Sequence, residues 1–156
     1  MSDKKADFSN LLNVLREVYE DKLPFNKHLG IQVVSLEADG VCVRINMKED
    51  FIGNFAKGIL HGGVISAVID LTGGMMASMG ILKKMEGRSS DEIIARLTRV
   101  GTIDLRVDYL RGGRGKYFLT NASILRTGNK VAVTRTEFRN DKDLLIAAGT
   151  GTYMVG

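Results

Sequence analysis

The stretch that decides the fold is GILHGGVISAVID, residues 58–70, which continues through apolar and small residues to Leu82. Between positions 57 and 83 the only ionisable side chains are those of His61 and Asp70. A helix that is apolar around its whole circumference is buried, either in a protein core or in a membrane. Burying a carboxylate there is costly unless it is paired or serves a function, so Asp70 is the first candidate functional residue.

The same stretch is long enough for a membrane span, which needs ~20 residues. However, it contains Ser66, Thr72, Ser78 and Asp70 in addition to several glycines. An aspartate near the centre of a span costs about 2.5–3.5 kcal/mol on insertion scales, and no other part of the chain is apolar enough to partner such a helix. The sequence therefore predicts a buried helix of a soluble protein and no membrane span.

Composition predicts one ordinary globular domain over residues 1–156, because 44% of the residues are hydrophobic and 26% are charged. Cys42 is the single cysteine, so no disulfide forms within the chain, and two distant histidines make no metal cluster. We expect no metal and no cofactor. The charged N-terminus lacks the apolar segment of a secretory signal, which favours the cytoplasm.

The positive charge is concentrated in the second half of the chain. Residues 96–142 hold 11 Lys and Arg against 4 Asp and Glu, whereas the net charge of the whole chain is only +4. Such an excess either attracts an anionic ligand or is simply a solvated surface. Nucleic-acid binding is not predicted, because the chain has no recognition motif and no basic run interleaved with aromatic residues.

The first quarter of the chain predicts a helix followed by a hairpin. Apolar residues at helical spacing over 7–22 indicate an amphipathic helix that ends at Pro24. The period then changes to two, which predicts strands over 30–36 and 41–47. The turn Ala38-Asp39-Gly40 between them is a strong hairpin signal. A polar loop then leads to the central helix.

The part of the chain after the central helix predicts one short helix and then only strands. Ser89 and Glu92 have the spacing of a capping box, which predicts a helix inside an insertion at 84–100. Four strands joined by tight turns are expected to form an antiparallel meander, at 102–110, 117–125, 131–138 and 144–154. The predicted class is α+β: an antiparallel sheet wrapped around one central apolar helix, with an N-terminal helical extension at 1–25.

The start of the central helix has the composition of an anion-binding turn. Unpaired N–H groups at a helix N-terminus, together with the helix dipole, favour negative charge, and Gly62 and Gly63 let a ligand approach the backbone. Asp70 lies eight residues beyond Gly62, or about 12 Å along the helix. One substrate carbonyl cannot contact both groups, so a shared reaction requires Asp70 from a second copy of the chain. A twofold homodimer supplies that arrangement twice.

The spacing of His61-Gly62-Gly63 and Asp70, within this order of strands and helices, resembles the hotdog-fold acyl-CoA thioesterases of the phenylacetate-pathway type. The resemblance is closer to the YigI-type medium- and long-chain acyl-CoA thioesterases. It covers residues 26–155 and includes the segments GTIDLRVDYLR at 101–111 and GNKVAV at 128–133. It implies a hotdog fold, hydrolysis of an acyl-CoA substrate and a homodimer, with a tetramer as a further option.

The resemblance also implies a role for each residue of the site. Asp70 matches the general base or nucleophile, and Gly62 matches the glycine whose N–H polarises the thioester carbonyl. His61 would shape the turn. Asn54 resembles an asparagine that holds the water or the leaving sulfur, although it lies seven residues before His61 instead of six. Thr102 matches a residue that assists the water.

Substrate binding is assigned to a second group of residues. Gly63 would accompany Gly62 in the oxyanion turn, and Arg111, Arg114 and Lys130, at turns of the basic region, would anchor the phosphates of coenzyme A. The methionine-rich second half of the central helix either lines an acyl tunnel or packs in the core, and packing is expected for at least two of these methionines.

Two other functions compete with hydrolysis. A non-catalytic acyl-CoA-binding or sensor module would tolerate the loss of Asp70, so the carboxylate in an apolar helix argues against it. An acyl-thioester hydratase or dehydratase of the same fold would need a catalytic histidine paired with a carboxylate. His61 lies in the glycine turn and His28 has no evident partner, so this alternative ranks below the thioesterase.

Overall fold

The computed structural model describes residues 7–156, so the first six positions of the expected N-terminal extension lie outside it. The helices are α1 (Phe8–Glu17), α2 (Pro24–Leu29), α3 (Gly62–Lys84) and α4 (Ser90–Leu97). The strands are β1 (Gln32–Leu36), β2 (Val41–Asn46), β3 (Ile52–Asn54), β4 (Ile59–Leu60), β5 (Gly101–Tyr109), β6 (Tyr117–Thr127), β7 (Val131–Asn140) and β8 (Leu145–Met154).

Six strands form one antiparallel sheet in the order β1-β2-β6-β7-β8-β5. The predicted meander of four successive strands is wrong at one position, because β5 lies at the sheet edge beside β8 and not beside β6. The segment that follows β5 crosses the end of the sheet, where the Gly113 carbonyl accepts a hydrogen bond of 2.9 Å from the Leu60 N–H. Adjacency in sequence predicts strand pairing only about two-thirds of the time.

The central helix α3 packs against the sheet and forms the middle of the core, as predicted. Its second half is completely buried between positions 72 and 82. Small residues permit this close approach: a Cβ on Gly73 would lie 2.3 Å from the Tyr153 hydroxyl. The α+β class, an antiparallel sheet around one long apolar helix with a helix before it, is therefore confirmed.

The N-terminal segment differs from the prediction in its details. The predicted helix over 7–22 is α1 followed by a single π turn at Val18–Lys22. Pro24 does not only stop a helix; it occupies the first turn of α2, where its fixed φ and missing N–H are tolerated. Gly30 ends α2 with a φ of +70°, so the strand expected from position 30 begins at Gln32.

The insertion contains the predicted capped helix. The Ser89 hydroxyl accepts a hydrogen bond from the Glu92 N–H, and the Glu92 carboxylate accepts one from the Ser89 N–H, which completes the capping box. Arg96 on α4 donates to the carbonyls of Asn129 and Val155. These bonds hold α4 against the turn between β6 and β7 and against the end of the chain.

Among residues 7–156, only α3 has the length and hydropathy of a membrane span. Its most apolar 18-residue window is 72% buried inside the protein. Such extensive burial is typical of the core helix of a globular protein.

Candidate active site

The turn into α3 presents one backbone donor to solvent. His61 is the N-cap, and its ring Nδ1 accepts a hydrogen bond of 2.8 Å from the Gly63 N–H. Gly62 is the first residue of the helix, a position whose N–H has no intrahelical acceptor. Within the described residues the Gly62 N–H has no other acceptor either. The turn therefore offers the Gly62 amide for an oxyanion, while His61 engages the Gly63 amide that the sequence had assigned to substrate.

Tyr109, at the end of β5, holds the other side of this turn. Its hydroxyl donates to the Gly62 carbonyl at 3.0 Å, and a Cβ on Gly62 would lie 3.3 Å from its ring. Sequence reasoning missed this contact because the alternation of β5 marks Tyr109 only as a strand residue. The contact depends on β5 lying at the sheet edge, which is the feature that the predicted meander had wrong.

The loop before α3 brings Asn54 to the mouth of the turn. A Cβ on Gly53 would lie 2.6 Å from the His61 Cα, so only glycine permits β3 to pack this closely against the helix start. The Asn54 side-chain oxygen accepts a hydrogen bond of 3.1 Å from the Lys57 N–H. Within the described residues its amide group donates to nothing, so it is available to a ligand beside His61.

Asp70 lies eight residues after Gly62 on the same continuous helix, which separates the two groups by about 12 Å. Its Oδ1 accepts a hydrogen bond of 2.9 Å from the Thr102 hydroxyl, and its carbonyl accepts one of 2.9 Å from the Tyr153 hydroxyl. Thr102 and Tyr153 are paired across β5 and β8, so neighbouring strands present both hydroxyls to Asp70.

The environment of Asp70 is more open than the apolar helix had implied. The sequence predicts that Asp70 is enclosed with the rest of α3, but the residue is only half-buried, and Thr102 beside it is exposed. The carboxylate therefore faces outward with one hydroxyl donor and remains accessible to a ligand or a second chain.

Two tyrosines behind Asp70 are held in the neutral form. Burial raises the pKa of the Tyr153 phenol well above its usual range, and the nearby charge of Asp70 adds to the increase. Burial, with a smaller contribution from Asp70, raises the pKa of Tyr19 to about 12, against the opposing effect of Ser78. Both phenols are therefore hydrogen-bond donors at neutral pH and not bases.

The three predicted phosphate anchors do not lie together. Arg111 and Arg114 follow β5 in the segment that bridges to the start of α3. Lys130 lies in the turn between β6 and β7, where Lys84 at the far end of α3 donates to the Gly128 carbonyl at 3.0 Å. The 23 residues of α3 span roughly 33 Å. The structure therefore places two cations near Gly62 and the third at the opposite end of the helix.

The histidines and the cysteine offer no other reactive centre. His28 packs edge-on against Phe51, and neither it nor His61 pairs with a carboxylate in the described part of the chain. Burial raises the pKa of the Cys42 thiol, which lowers its reactivity. Residues 7–156 contain no group of three His, Cys, Asp or Glu side chains arranged to hold a metal.

The family model described as "Thioesterase superfamily" matches residues 57–147, which include Gly62, Asp70 and Thr102. The chain belongs to the thioesterase superfamily. It is 45% identical over 145 residues to the medium/long-chain acyl-CoA thioesterase YigI of Salmonella typhimurium, covering 93% of this chain and 94% of the relative. It is 44% identical to the Escherichia coli K12 protein of the same name, again over 145 residues and with the same coverage.

A solved structure supports the same family assignment. A crystal structure from Shewanella oneidensis, described as related to the thioesterase superfamily, is 44% identical to this chain with a TM-score of 0.92. The match covers 96% of this chain and 97% of the other. The predicted hotdog fold and the predicted thioester hydrolase of this superfamily are both confirmed.

Proposed function

We propose that this chain hydrolyses medium- and long-chain acyl-CoA to a fatty acid and coenzyme A, in the cytoplasm and without a cofactor. The relatives named above as medium/long-chain acyl-CoA thioesterases support the substrate class. The site supports the reaction, since thioester hydrolysis needs a carboxylate for water or direct attack and a donor for the oxyanion. Asp70 and the Gly62 N–H have these properties.

The position of β5 supports the proposal that two subunits share the site. Near its start, Thr102 contacts Asp70, and at its end, Tyr109 contacts Gly62. Because β5 lies at the sheet edge, its outer side is a template for another strand. Antiparallel pairing of β5 with its own copy places the start of one strand beside the end of the other, so Asp70 of one subunit faces Gly62 of the second.

The exposed surface beside this edge fits the same arrangement. Val64, Ala67 and Leu71 form a half-buried apolar strip on the first half of α3, on the side that also carries Asp70. On β5, Ile103 is 57% exposed. Apolar side chains at a long open strand edge favour burial against a second copy. Pairing of such dimers into a tetramer is compatible with this arrangement.

In the proposed reaction, the Gly62 N–H of one subunit donates to the thioester carbonyl oxygen. Asp70 of the other subunit removes a proton from water, and the water oxygen bonds to the carbonyl carbon. The negative charge on the tetrahedral oxygen is stabilised by the Gly62 N–H and the helix dipole. The C–S bond then breaks, the coenzyme A thiolate takes the proton from Asp70, and the fatty acid leaves. Asn54 lies at the mouth of the turn, where its amide would hold the water or the leaving sulfur.

Direct attack by Asp70 is the alternative within the same site. An Asp70 oxygen would bond to the carbonyl carbon and expel the thiolate, leaving a mixed anhydride that water hydrolyses. Turnover in ¹⁸O-labelled water, followed by mass spectrometry of the peptide containing Asp70, is combined with rapid-quench trapping of an acyl-enzyme by hydroxylamine. Label in the Asp70 carboxylate, or a trapped acyl-enzyme, requires the anhydride. An unlabelled carboxylate with no trapped acyl-enzyme favours general-base catalysis, because an anhydride opened at the acyl carbon would also leave Asp70 unlabelled.

Coenzyme A is proposed to bind on the side of Arg111 and Arg114, which lie near the oxyanion turn. Arg111→Ala is expected to raise KM for an acyl-CoA about tenfold through the loss of a charged phosphate contact. It should leave KM unchanged for the same acyl group on N-acetylcysteamine, which has no phosphates. Lys130→Ala is the matched control, because Lys130 lies at the far end of α3. An equal effect of both variants would contradict this placement.

The first experiment is steady-state hydrolysis of acyl-CoAs from acetyl to palmitoyl by thiol release, with Asp70→Asn and Asp70→Ala beside the wild type. Removal of the carboxylate is expected to lower kcat by about 10³-fold or more, because water loses its base or the acyl group its nucleophile. Gel filtration checks that the oligomer persists. Tight acyl-CoA binding without hydrolysis would contradict the proposal and favour a binding module. Hydration of an enoyl-CoA would favour the hydratase alternative.

The shared site has its own test. Asp70→Ala and a variant that removes the Gly62 N–H (Gly62→Pro) are each expected to be inactive as homodimers. Coexpression of the two variants forms mixed dimers that retain one intact site, which restores about a quarter of the wild-type activity for random twofold pairing. A site built within one chain would give no recovery.

A further inference from the structure

An apolar cavity of about 310 Å³ lies beside the second half of α3, under the two elements that surround the basic hotdog architecture. Leu11 and Val18 of the N-terminal segment form one wall, and Ile94 and Leu97 of α4 form the other. Ser78 of α3 lies at its floor. Nothing in the assignment of Asp70 and Gly62 uses this cavity.

The rim of the cavity is apolar as well as its interior. Val14 is 39% exposed, Leu23 is 40% exposed and Ile94 is 44% exposed, and all three line the cavity. Exposed aliphatic side chains around a concave opening mark a ligand-binding site more often than an inert surface. The polar groups inside are few, and Ser78 already donates to the Gly74 carbonyl at 3.0 Å.

Two residues that line the cavity connect it with the neighbourhood of Asp70. Its wall includes Val100, two residues before Thr102, which is a distance of about 7 Å along an extended chain. Tyr19 also lines the cavity and lies near enough to Asp70 to experience its charge. Ser78 lies about 12 Å beyond Asp70 on α3. The cavity therefore lies beside the second half of α3, with Tyr19 and Val100 on the side nearer the carboxylate.

We infer that this cavity binds the acyl chain of the substrate and sets the preference for chain length. The inference depends on the proposed acyl-CoA thioesterase function, since it assigns a subsite of that same reaction. The walls come from α1, the π turn and α4, so the helical extension and the insertion form the specificity-determining part of the protein.

The size and character of the cavity fit a medium-length chain. A cavity of roughly 150 Å³ holds benzene, so this one has room for on the order of ten to twelve carbon atoms. Longer chains would project past the rim formed by Val14, Leu23 and Ile94. A larger cavity of about 400 Å³ is lined by Lys84, Arg88 and other charged and polar residues at the far end of α3 and does not suit an alkyl chain.

The test fills the cavity from its rim. Ile94→Trp adds volume at a partly exposed position, so the fold tolerates it, and Val14→Trp does the same from the opposite wall. Each variant is expected to lower the ratio of kcat/KM for dodecanoyl-CoA to kcat/KM for butanoyl-CoA by tenfold or more. Leu125→Trp, at a 60% exposed position of β6 away from the cavity, is the matched control and should leave the ratio unchanged.

A binding measurement keeps this inference separate from the proposed function. Dodecyl-CoA, the thioether that cannot be hydrolysed, is titrated by calorimetry into wild type, Ile94→Trp and Leu125→Trp. Affinity reduced tenfold only in Ile94→Trp supports the subsite even if turnover is undetectable. An unchanged ratio and unchanged affinity in both cavity variants would overturn it while leaving a demonstrated wild-type thioesterase intact. An altered oligomeric state in Ile94→Trp would instead show that a second copy covers the cavity, and would also overturn it.

Discussion

The two halves of α3 have the same apolar composition but different surroundings. Residues 72–82 are buried on all sides, between the sheet on one side and the α1 and α4 segments on the other. Residues 62–71 contact the sheet on one side only, and several of them remain half-buried or exposed. The first half carries the glycine turn at Gly62 and Asp70, and the second half carries the methionines of the core.

One apolar helix therefore serves two purposes. The second half contributes to folding, because each buried side chain there adds hydrophobic free energy to the native state. The first half leaves apolar surface uncovered and keeps a carboxylate accessible, which lowers the stability of an isolated chain. We expect substitutions in the first half to change catalysis or assembly, and substitutions in the second half to change the free energy of unfolding.

The largest catalytic effect of a single backbone atom is expected at Gly62. Gly62→Pro removes the N–H at the first helical position, where proline fits, and His61 already has the ψ of +134° that a residue before proline prefers. Loss of an oxyanion donor is expected to lower kcat by about 10²–10³-fold. Stopped-flow or steady-state thiol release with a saturating acyl-CoA measures it.

Gly62→Ala is the control for this substitution, because it introduces a Cβ at the same 3.3 Å from the Tyr109 ring but keeps the N–H. It should retain most of the activity, and both variants should unfold at temperatures close to that of the wild type. A kcat for Gly62→Ala as low as that for Gly62→Pro would mean that crowding against Tyr109, not the missing donor, lowers the rate. The oxyanion role of Gly62 would then be wrong.

The same substitution in each half of the helix tests the comparison directly. Leu82 is 1% exposed, so Leu82→Ala is expected to lower the free energy of unfolding by about 2–5 kcal/mol through lost burial and a cavity. Leu71 is half-buried in the single chain. Leu71→Ala should destabilise the fold less and should instead weaken the dimer about tenfold, as truncation of an interface residue does.

Denaturant unfolding at one fixed protein concentration measures the free energy of unfolding of both variants. Sedimentation across a dilution series measures the dimer dissociation constant. The kcat per folded molecule should stay within about twofold for Leu82→Ala, which lies roughly 18 Å beyond Asp70 on the helix. Equal losses of unfolding free energy in the two variants, with no change in dimerisation, would remove the distinction between the halves.

Most of the fold could be predicted from the sequence because it rests on local signals. Hydrophobic periodicity identified α1 and the long strands, Asp39-Gly40 marked the first hairpin, and the capping box located α4. The strand order could not be obtained in this way, because the position of β5 beside β8 depends on contacts distant in sequence. The short elements α2, β3 and β4 were missed for a similar reason, since few residues in each carry a periodic signal.

The arrangement of the candidate site was predictable where it coincides with the helix motif. His61, Gly62 and Asp70 follow from one apolar stretch with two ionisable residues, and Thr102 followed from the family resemblance and does contact Asp70. Tyr109 and Tyr153 were not predicted, because their roles arise from the register of β5 against β8 and from contacts with α3. Sequence shows the charge of Lys130 but not the end of the helix at which it lies, so its distance from the two arginines within one chain could not be predicted.

Two tyrosines that pack beside the middle of α3, Tyr19 and Tyr153, are expected to make the free energy of unfolding sensitive to alkaline pH. The folded-state pKa of Tyr19 is raised to about 12 from an ordinary value of 10.0, so the unfolded chain loses this proton first as the pH rises. The associated stability is complete below pH 10 and is lost between about pH 10 and 12, at up to about 1.4 kcal/mol per pH unit for each such proton. Tyr153 acts in the same direction.

Urea unfolding at several pH values between 9 and 11.5 measures this dependence. Tyr19→Phe keeps the ring and removes the titrating hydroxyl, so its free energy of unfolding should fall less steeply with pH than that of the wild type. Tyr117→Phe, at the start of β6 where the tyrosine ring contacts the Arg44 guanidinium, is the matched control for the loss of a phenol hydroxyl. Identical slopes for Tyr19→Phe and wild type would show that Tyr19 is not held neutral by the fold.

The smallest of the expected effects is at Thr102, where a substitution should change the catalytic rate without changing stability. Its hydroxyl orients the Asp70 carboxylate from an exposed position, so Thr102→Val should lower kcat by about tenfold through the loss of one charge-assisted hydrogen bond, with little change in KM or in the unfolding midpoint. Thr102→Ser restores the donor and should recover most of the rate. A wild-type rate for Thr102→Val would mean that Asp70 acts without this hydroxyl, and a slow Thr102→Ser would mean that the hydroxyl alone does not restore the rate.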